Sequence, residues 1–276
     1  MPSCPEIRET SRRSVRALEA TNFFLADVQT GLGPFVAAYL AAAGWSADRV
    51  GDALTVAAAM TVLLQTPAGA LVDQVRSRRA IIVIGACVLA SGSLLLFVSS
   101  SPWPVFIAQG VIGRTNPFLA PTLAALTMGL VSLRRFDRQF GRNQSFNSAG
   151  NVACALLIAA VSHARGNRSI FLLSALLAIP TVVAVLCIHR EEIDPELARG
   201  GDAGKSEVRR EHIRDLLADR VLLLFLICAF LFHLANAAML PQLGEFLCKN
   251  SPKSAAGFMS ACIIVTQVIT ALSLPP

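Results

Sequence analysis

Long apolar stretches separated by short polar segments fill almost the whole chain. A bilayer core about 30 Å thick needs about 20 apolar residues per spanning helix, and each stretch approaches that length. The pattern predicts helices near residues 18–43, 50–72, 80–100, 103–132, 143–163, 169–188, 219–241 and 255–274. The predicted fold class is an all-α polytopic membrane protein of about eight transmembrane helices, six before a charged segment and two after it.

Composition excludes the main soluble classes. Apolar residues make up 54% of the chain and charged residues 15%, whereas a soluble domain of this size needs more surface charge. The net charge of +6 would suit nucleic acid. However, a nucleic-acid protein clusters its cations on one folded face and lacks 20-residue apolar runs. The first 17 residues are polar, which argues against a cleaved signal peptide.

The charge distribution predicts an orientation. Most of the 24 Lys and Arg residues lie before the first helix or in the segments between helices two and three, four and five, and six and seven. By the positive-inside rule these segments are cytoplasmic. The predicted organisation is a cytoplasmic N-terminus (1–17), a six-helix bundle (18–188), a cytoplasmic linker (189–218) and a partial second bundle (219–276). The second half of the linker is either solvated or a short helix on the membrane surface.

No enzyme chemistry is predicted. The chain lacks a phosphate loop, an HExxH motif and a nucleophile elbow. Its seven cysteines have no metal or disulfide spacing, and those in apolar stretches behave as small apolar residues. His189 with Glu191 and Glu192 imitates a metal cluster but lies in a charged loop. We therefore expect no cofactor and no metal.

One motif carries a family resemblance. After the second helix the chain reads GALVDQVRSRR, from Gly69 to Arg79. This resembles the loop 2–3 signature of the major facilitator superfamily, which runs Gly-x-Leu-x-Asp, basic, any, Gly, then two or three basic residues. Five positions match: Gly69, Leu71, Asp73, Arg78 and Arg79. Three depart from it: Gln74, Arg76 and Ser77. Six helices, a cytoplasmic loop and further helices are also that superfamily's layout, so the resemblance extends over the whole chain.

The resemblance implies a function and a gating role. In the family the motif's aspartate, here Asp73, steadies the outward-facing state by contacting the second half. Arg78 and Arg79 would join that network or bind lipid phosphate; the alternative is that they only anchor the topology. The implied function is secondary transport of a small solute by alternating access, with efflux favoured. The implied partners are the lipid bilayer and a small-molecule substrate, with proton coupling open, and the expected location is the bacterial inner membrane.

Two alternatives stay open. A second family signature on helix four, Arg-x-x-Gln-Gly-x-Gly, is matched by Gln109 and Gly110, but Phe106 replaces the arginine linked to proton coupling. The Gly-Pro signature of drug antiporters is absent from helix five. The missing arginine of helix four favours an importer or uniporter of the same superfamily. Because the family uses two six-helix halves, the chain resembles a C-terminally truncated member, and a non-transporting membrane remnant is the other alternative.

Polar residues within apolar stretches supply the candidate cavity. Ionisable groups inside a bilayer are costly and mark functional sites by default. The helix-five residues Asn143, Asn147 and Asn151 share one face, which cannot look at lipid without leaving amides unsatisfied. Helix-to-helix hydrogen bonding is the alternative for this asparagine face and for His233 with Asn236. The alternative for Asp27 is a buried structural carboxylate bonded to Asn22 or Gln29, and for Arg114 a tolerated deviation from the small residues usual at that place. The candidate substrate or proton cavity comprises Asp27, Gln109, Arg114, Asn147, His233 and Asn236.

Overall fold

The computed structural model describes residues 10–26, 32–75, 77–131, 133–199, 220–236, 239–250 and 255–273. Within these ranges the chain is all-helical, as predicted. The helices are α1 (Arg12–Ala26), α2 (Leu32–Ala42), α3 (Ala47–Gln74), α4 (Arg78–Val98), α5 (Pro102–Val131), α6 (Leu133–Arg165), α7 (Ser169–Leu186), α8 (Arg220–Asn236), α9 (Met239–Asn250) and α10 (Ala255–Ser273). Two 3₁₀ turns, Arg190–Glu192 and Leu197–Arg199, follow α7.

Several helices extend beyond their predicted limits. α1 begins at Arg12 rather than at residue 18, and α6 begins at Leu133 rather than at residue 143. The predicted seventh helix, 219–241, corresponds to α8 and α9, which reaches Asn250. Apolar runs mark the part of a helix that meets lipid, but backbone hydrogen bonding continues through polar residues that still favour helix.

The first seven helices pack into one bundle, here called the first bundle. α5 packs against α3 and α4, α4 against α7, and α1 against α6 and α7. Its core contains fully buried aliphatic and aromatic side chains, among them Leu18, Leu89, Leu119 and Phe171. Neighbouring helices run antiparallel, so their ends collect at two ends of the bundle. We call the end that holds Arg12, Gln74, Val131 and Leu186 the basic end.

The outer surface of the bundle is apolar. Exposed aliphatic side chains cover α3, α4 and α7, including Leu63, Ile84 and Ile179. Four helices in the described part of the chain are long and apolar enough to cross a membrane, and they lie within 47–74, 78–98, 135–165 and 169–186. Two shorter apolar helices, 220–236 and 260–269, follow. Such surface is stable against lipid and would be costly in water.

Candidate functional site

The loop signature lies at the basic end, where α3 gives way to α4. Gly69 is half-buried on α3, and Asp73 in its last turn is exposed. Arg78 is the first residue of α4 and is only 2% exposed. Arg79, which follows it, donates from Nη2 to the carbonyl oxygen of Leu186 at 2.9 Å. The signature therefore ties the start of α4 to the end of α7.

Through this contact Arg79 caps the C-terminal end of α7. The last carbonyl groups of a helix have no partner within the helix, and they carry the negative end of its dipole. A guanidinium placed there supplies both a donor and a positive charge. This contact lies wholly within the first bundle.

The candidate cavity residues fall into different environments. Gln109 is 3% exposed inside the first bundle, whereas Arg114, on the same helix, is exposed. His233 and Asn236 are exposed on α8, and Asn236 donates to the carbonyl oxygen of Phe232 in its own helix at 2.7 Å. Asp27 lies outside the described residues. A pocket of about 360 Å³ is lined by His189, Arg190, Glu191 and Glu192, none of which belongs to the candidate set.

The asparagine face of α6 is confirmed as inward-facing. Asn143 and Asn151 are 2% and 5% exposed, and the adjacent Gln144 is exposed. Asn147 is half-buried and accepts a hydrogen bond from Asn151 Nδ2 at 3.2 Å. Asn143 Nδ2 donates to Thr127 Oγ1 of α5 at 2.9 Å. The amides are thus satisfied within the protein, as residues that cannot face lipid require.

The structure contains a buried polar network that the sequence analysis did not predict. Gln139 Nε2 donates to Asn143 Oδ1 at 3.0 Å and lies 3.2 Å from Glu19 Oε1, while Arg142 Nη2 lies 2.8 Å from the same Glu19 oxygen. Glu19 is 4% exposed. The network joins α1, α5 and α6 near the basic end. The sequence feature that could have indicated this network is Glu19, a carboxylate at the edge of the first apolar stretch.

The segment that follows α7 forms a strap across the basic end. Ser11 donates to Glu192 Oε2 from its backbone N–H at 3.1 Å and from its hydroxyl at 3.0 Å. The N–H of Asp194 donates to the carbonyl oxygen of Gly129 at 2.9 Å, and Ala198 is 3% exposed. The first part of the charged segment, residues 189–199, is therefore packed on the bundle. The rest of the predicted linker, residues 200–218, lies outside the described residues.

The titration of Glu192 follows from these contacts. Burial by itself would raise the pKa of this carboxyl group. Hydrogen bonds from Ser14 and Ser11, together with the nearby His189, outweigh that effect and hold the pKa below its usual value. Glu192 is therefore a charged anchor at neutral pH.

The second group of helices packs on the first bundle through α9 and α10, of which α10 also meets α2. α9 packs against α2, where Leu247 meets Ala38. α10 packs against α6, where Ile263 joins a cluster around Cys154 and Ile158. By contrast, α8 has no buried residue. The two groups thus meet through α9 and α10. Helix α8, which begins at Arg220, takes no part in a buried interface.

The comparisons with known proteins identify the family. Residues 20–274 match the sequence model of the Major Facilitator Superfamily. The chain belongs to this superfamily. A protein described as an uncharacterized MFS-type transporter of Mycobacterium tuberculosis (strain H37Rv) is 36% identical over 260 residues, which are 93% of this chain and 62% of the relative. The chain therefore spans less than two thirds of the length of this relative.

More distant similarities agree with that membership. A multidrug resistance protein, MdtG, of Dickeya zeae is 27% identical over 167 residues, covering 58% of this chain and 40% of the relative. A solved structure of a bacterial homologue of the human drug peptide transporters matches with a TM-score of 0.54 and 16% identity, covering 95% of this chain and 55% of that chain. The structural match supports the fold alone.

Proposed function

We propose that this chain carries out, or forms part of a protein that carries out, secondary transport of a small solute by alternating access. The observation that supports this most strongly is the uneven contact between the two helix groups. Leu247 packs on Ala38 at one end, while α8 is unburied. Family members operate by rocking such groups about a central path. With the positive-inside orientation, this proposal puts the contact between Leu247 and Ala38 in the outer half of the membrane.

Efflux across a bacterial inner membrane is the proposed direction and location. The similarity to a multidrug resistance protein supports it, and the basic segments favour a cytoplasmic N-terminus. In this proposal Asp73 takes part in gating the transport cycle, together with Gly69, Arg78 and Arg79. The residues proposed to line the substrate or proton cavity are Asp27, Gln109, Arg114, Asn147, His233 and Asn236.

One observation favours uniport or import as the second candidate. Phe106 occupies the position of the family's coupling arginine, and its ring lies 6.2 Å from that of Trp45, packed against the core of the first bundle. An apolar residue fixed in this way cannot take the arginine's part in proton exchange.

The test locks the contact between the two groups. Ala38→Cys and Leu247→Cys are combined in a chain whose native cysteines are replaced by serine or alanine, and ethidium accumulation is measured in an efflux-deficient bacterium. We expect the unlocked chain to lower accumulation, oxidation of the pair to abolish that effect, and reduction to restore it. Each single-cysteine variant is the control. Equal accumulation with and without the chain overturns efflux, and transport that survives locking overturns alternating access.

A further inference from the structure

The exposed face of α6 carries one line of side chains that changes from apolar to basic toward the basic end. Residues three or four apart on a helix lie above one another, so positions separated by three, four or seven residues share this line. Here called the α6 stripe, it contains the exposed side chains Arg135, Arg138, Arg142, Phe146, Ala149 and Leu156. An apolar surface that fits lipid is therefore continued by three arginines.

The three arginines of the α6 stripe lie at the depth of lipid headgroups. The hydrocarbon core of a bilayer is about 30 Å thick, and the headgroup layer adds about 5–8 Å on each side. At a rise of about 1.5 Å per residue, Arg142 lies about 6 Å beyond the apolar residue Phe146, and Arg138 and Arg135 lie about 12 Å and about 16 Å beyond it. Long arginine side chains extend along such a surface and place their charge among the headgroups. The basic part of the stripe therefore spans the headgroup layer and its aqueous edge.

Two of these guanidiniums have no carboxylate partner within the ranges that the structure describes. There Arg135 and Arg138 make no ion pair, whereas Arg142 Nη2 lies 2.8 Å from Glu19 Oε1. The Arg142 side chain is nonetheless 56% exposed, so its guanidinium also presents donors to the outside. The acid next to them in sequence, Asp137, lies about 100° or more around the helix from each arginine. The stripe therefore presents the charges of Arg135 and Arg138, together with the outer side of Arg142, to an anion from outside.

Aromatic rings border the basic part of the stripe. Phe136 and Phe140 stack with their ring centroids 5.4 Å apart, and Phe140 is 39% exposed. Phe146, 37% exposed, lies on the stripe itself, one turn beyond Arg142. Exposed rings beside guanidiniums suit the boundary between headgroups and acyl chains, where the rings contact apolar chains and the cations contact phosphate. The surface therefore fits an amphipathic ligand with an anionic head and an apolar tail.

We propose that Arg135, Arg138 and Arg142 bind the phosphate group of an anionic phospholipid whose acyl chains lie along the apolar part of the α6 stripe. A guanidinium donates two parallel hydrogen bonds to a phosphate group, and a headgroup with net negative charge adds an attraction that a zwitterionic headgroup lacks. None of the three arginines belongs to the loop signature or to the predicted cavity. The inference goes beyond the proposed function, since it requires no transported solute.

The first test measures lipid affinity. Native mass spectrometry of the purified full chain is titrated with phosphatidylglycerol or phosphatidylcholine of identical acyl chains. We expect phosphatidylglycerol to bind more tightly. Arg135→Gln and Arg138→Gln should each weaken its binding about fivefold, equivalent to about 1 kcal/mol per arginine at an anionic surface, and leave phosphatidylcholine unchanged. Arg142 is kept, because its removal would also leave the buried Glu19 without its ion pair. Arg13→Gln, at an exposed position of α1 at the same end, is the matched control and should bind as the native chain does.

The second test locates the lipid without changing an arginine. A fluorophore is attached at Ser145→Cys, exposed beside the stripe, or at Ser101→Cys, exposed at the opposite end of the bundle, in a chain free of native cysteines. We expect nitroxide-labelled phosphatidylglycerol in the vesicle to quench more than labelled phosphatidylcholine at position 145 and equally at position 101.

Three outcomes would overturn the proposal. Equal weakening by Arg13→Gln, or equal quenching by both lipids at position 145, would mean that diffuse surface charge attracts the lipid. Displacement of phosphatidylglycerol by excess inorganic phosphate would make a soluble phosphate the occupant. Neither readout involves a transported solute, so each failure is separable from a failure of the proposed transport.

Discussion

Arg79 and Arg168 cap opposite ends of the same antiparallel helix pair. Arg79, at the start of α4, donates to the carbonyl oxygen of Leu186 at the end of α7. Arg168, immediately before α7, donates to the carbonyl oxygens of Phe97 and Val98 at the end of α4. Each guanidinium thus satisfies carbonyl groups that the partner helix leaves open and opposes its dipole.

The paired caps predict a shared loss of stability. Arg79→Gln and Arg168→Gln should each lower the free energy of unfolding by roughly 1 kcal/mol, because charge-assisted bonds at exposed positions are worth less than buried ones. Thermal unfolding of the purified chain in detergent measures this. Arg165→Gln, an exposed arginine at the end of α6, is the control and should change stability little. Equal effects at all three positions would show that capping is not the cause.

Two glycines allow helices to touch backbone to backbone. A Cβ added at Gly113 would collide with the carbonyl oxygen of Ala57 on α3, and one at Gly150 with that of Phe23 on α1. Backbone atoms cannot rotate away as a side chain can. Gly113→Ala and Gly150→Ala should therefore each cost about 1–3 kcal/mol of stability, as overpacking does.

A third glycine supplies the matched control. Gly141 lies on α6 with nothing within 4 Å of an added Cβ. Gly141→Ala should be neutral or stabilising by up to about 1 kcal/mol, because alanine favours helix. Melting temperatures of the three variants compare the effects. Destabilisation by Gly141→Ala equal to that of Gly150→Ala would refute the argument from close approach.

The asparagine face makes a prediction about two adjacent residues. Asn143 is buried and bonded to Gln139 and Thr127, whereas Gln144 is exposed. Asn143→Leu should lower stability by about 1–3 kcal/mol, because it leaves buried polar partners unsatisfied. Gln144→Leu should be neutral, or even favourable if the residue faces lipid. Chemical or thermal unfolding distinguishes them, and similar losses from both would contradict the assigned face.

Glu192 predicts an acid-sensitive strap. Its pKa is lowered in the folded chain, so its stabilisation is present above the unfolded value, about pH 4.3, and is lost as pH falls through the lower folded value. Limited proteolysis within residues 189–199 should therefore accelerate only in acid. Glu192→Gln should show fast cleavage already at pH 7, while the exposed Glu196→Gln should behave as the native chain does. A strap equally protected in Glu192→Gln at pH 7 would disprove the anchor.

The sequence by itself determined the fold class and the membrane setting. Apolar runs near the length of a bilayer leave few alternatives, since every backbone group in lipid must be bonded within a helix. The residues of GALVDQVRSRR indicated the family, and the spacing of Asn143, Asn147 and Asn151 correctly placed them on an inward face. These inferences depend on local order along the chain, which hydropathy and periodicity record directly.

Only the tertiary structure decided which polar groups meet. Glu19 and Arg142 are far apart in sequence, as are Arg79 and Leu186, and no periodic pattern links them. The strap on Ser11 and the collision points at Gly113 and Gly150 depend in the same way on how helices cross. The physical reason is that a buried charge or an open carbonyl takes whichever partner packing brings within about 3 Å, and packing is a property of the whole bundle.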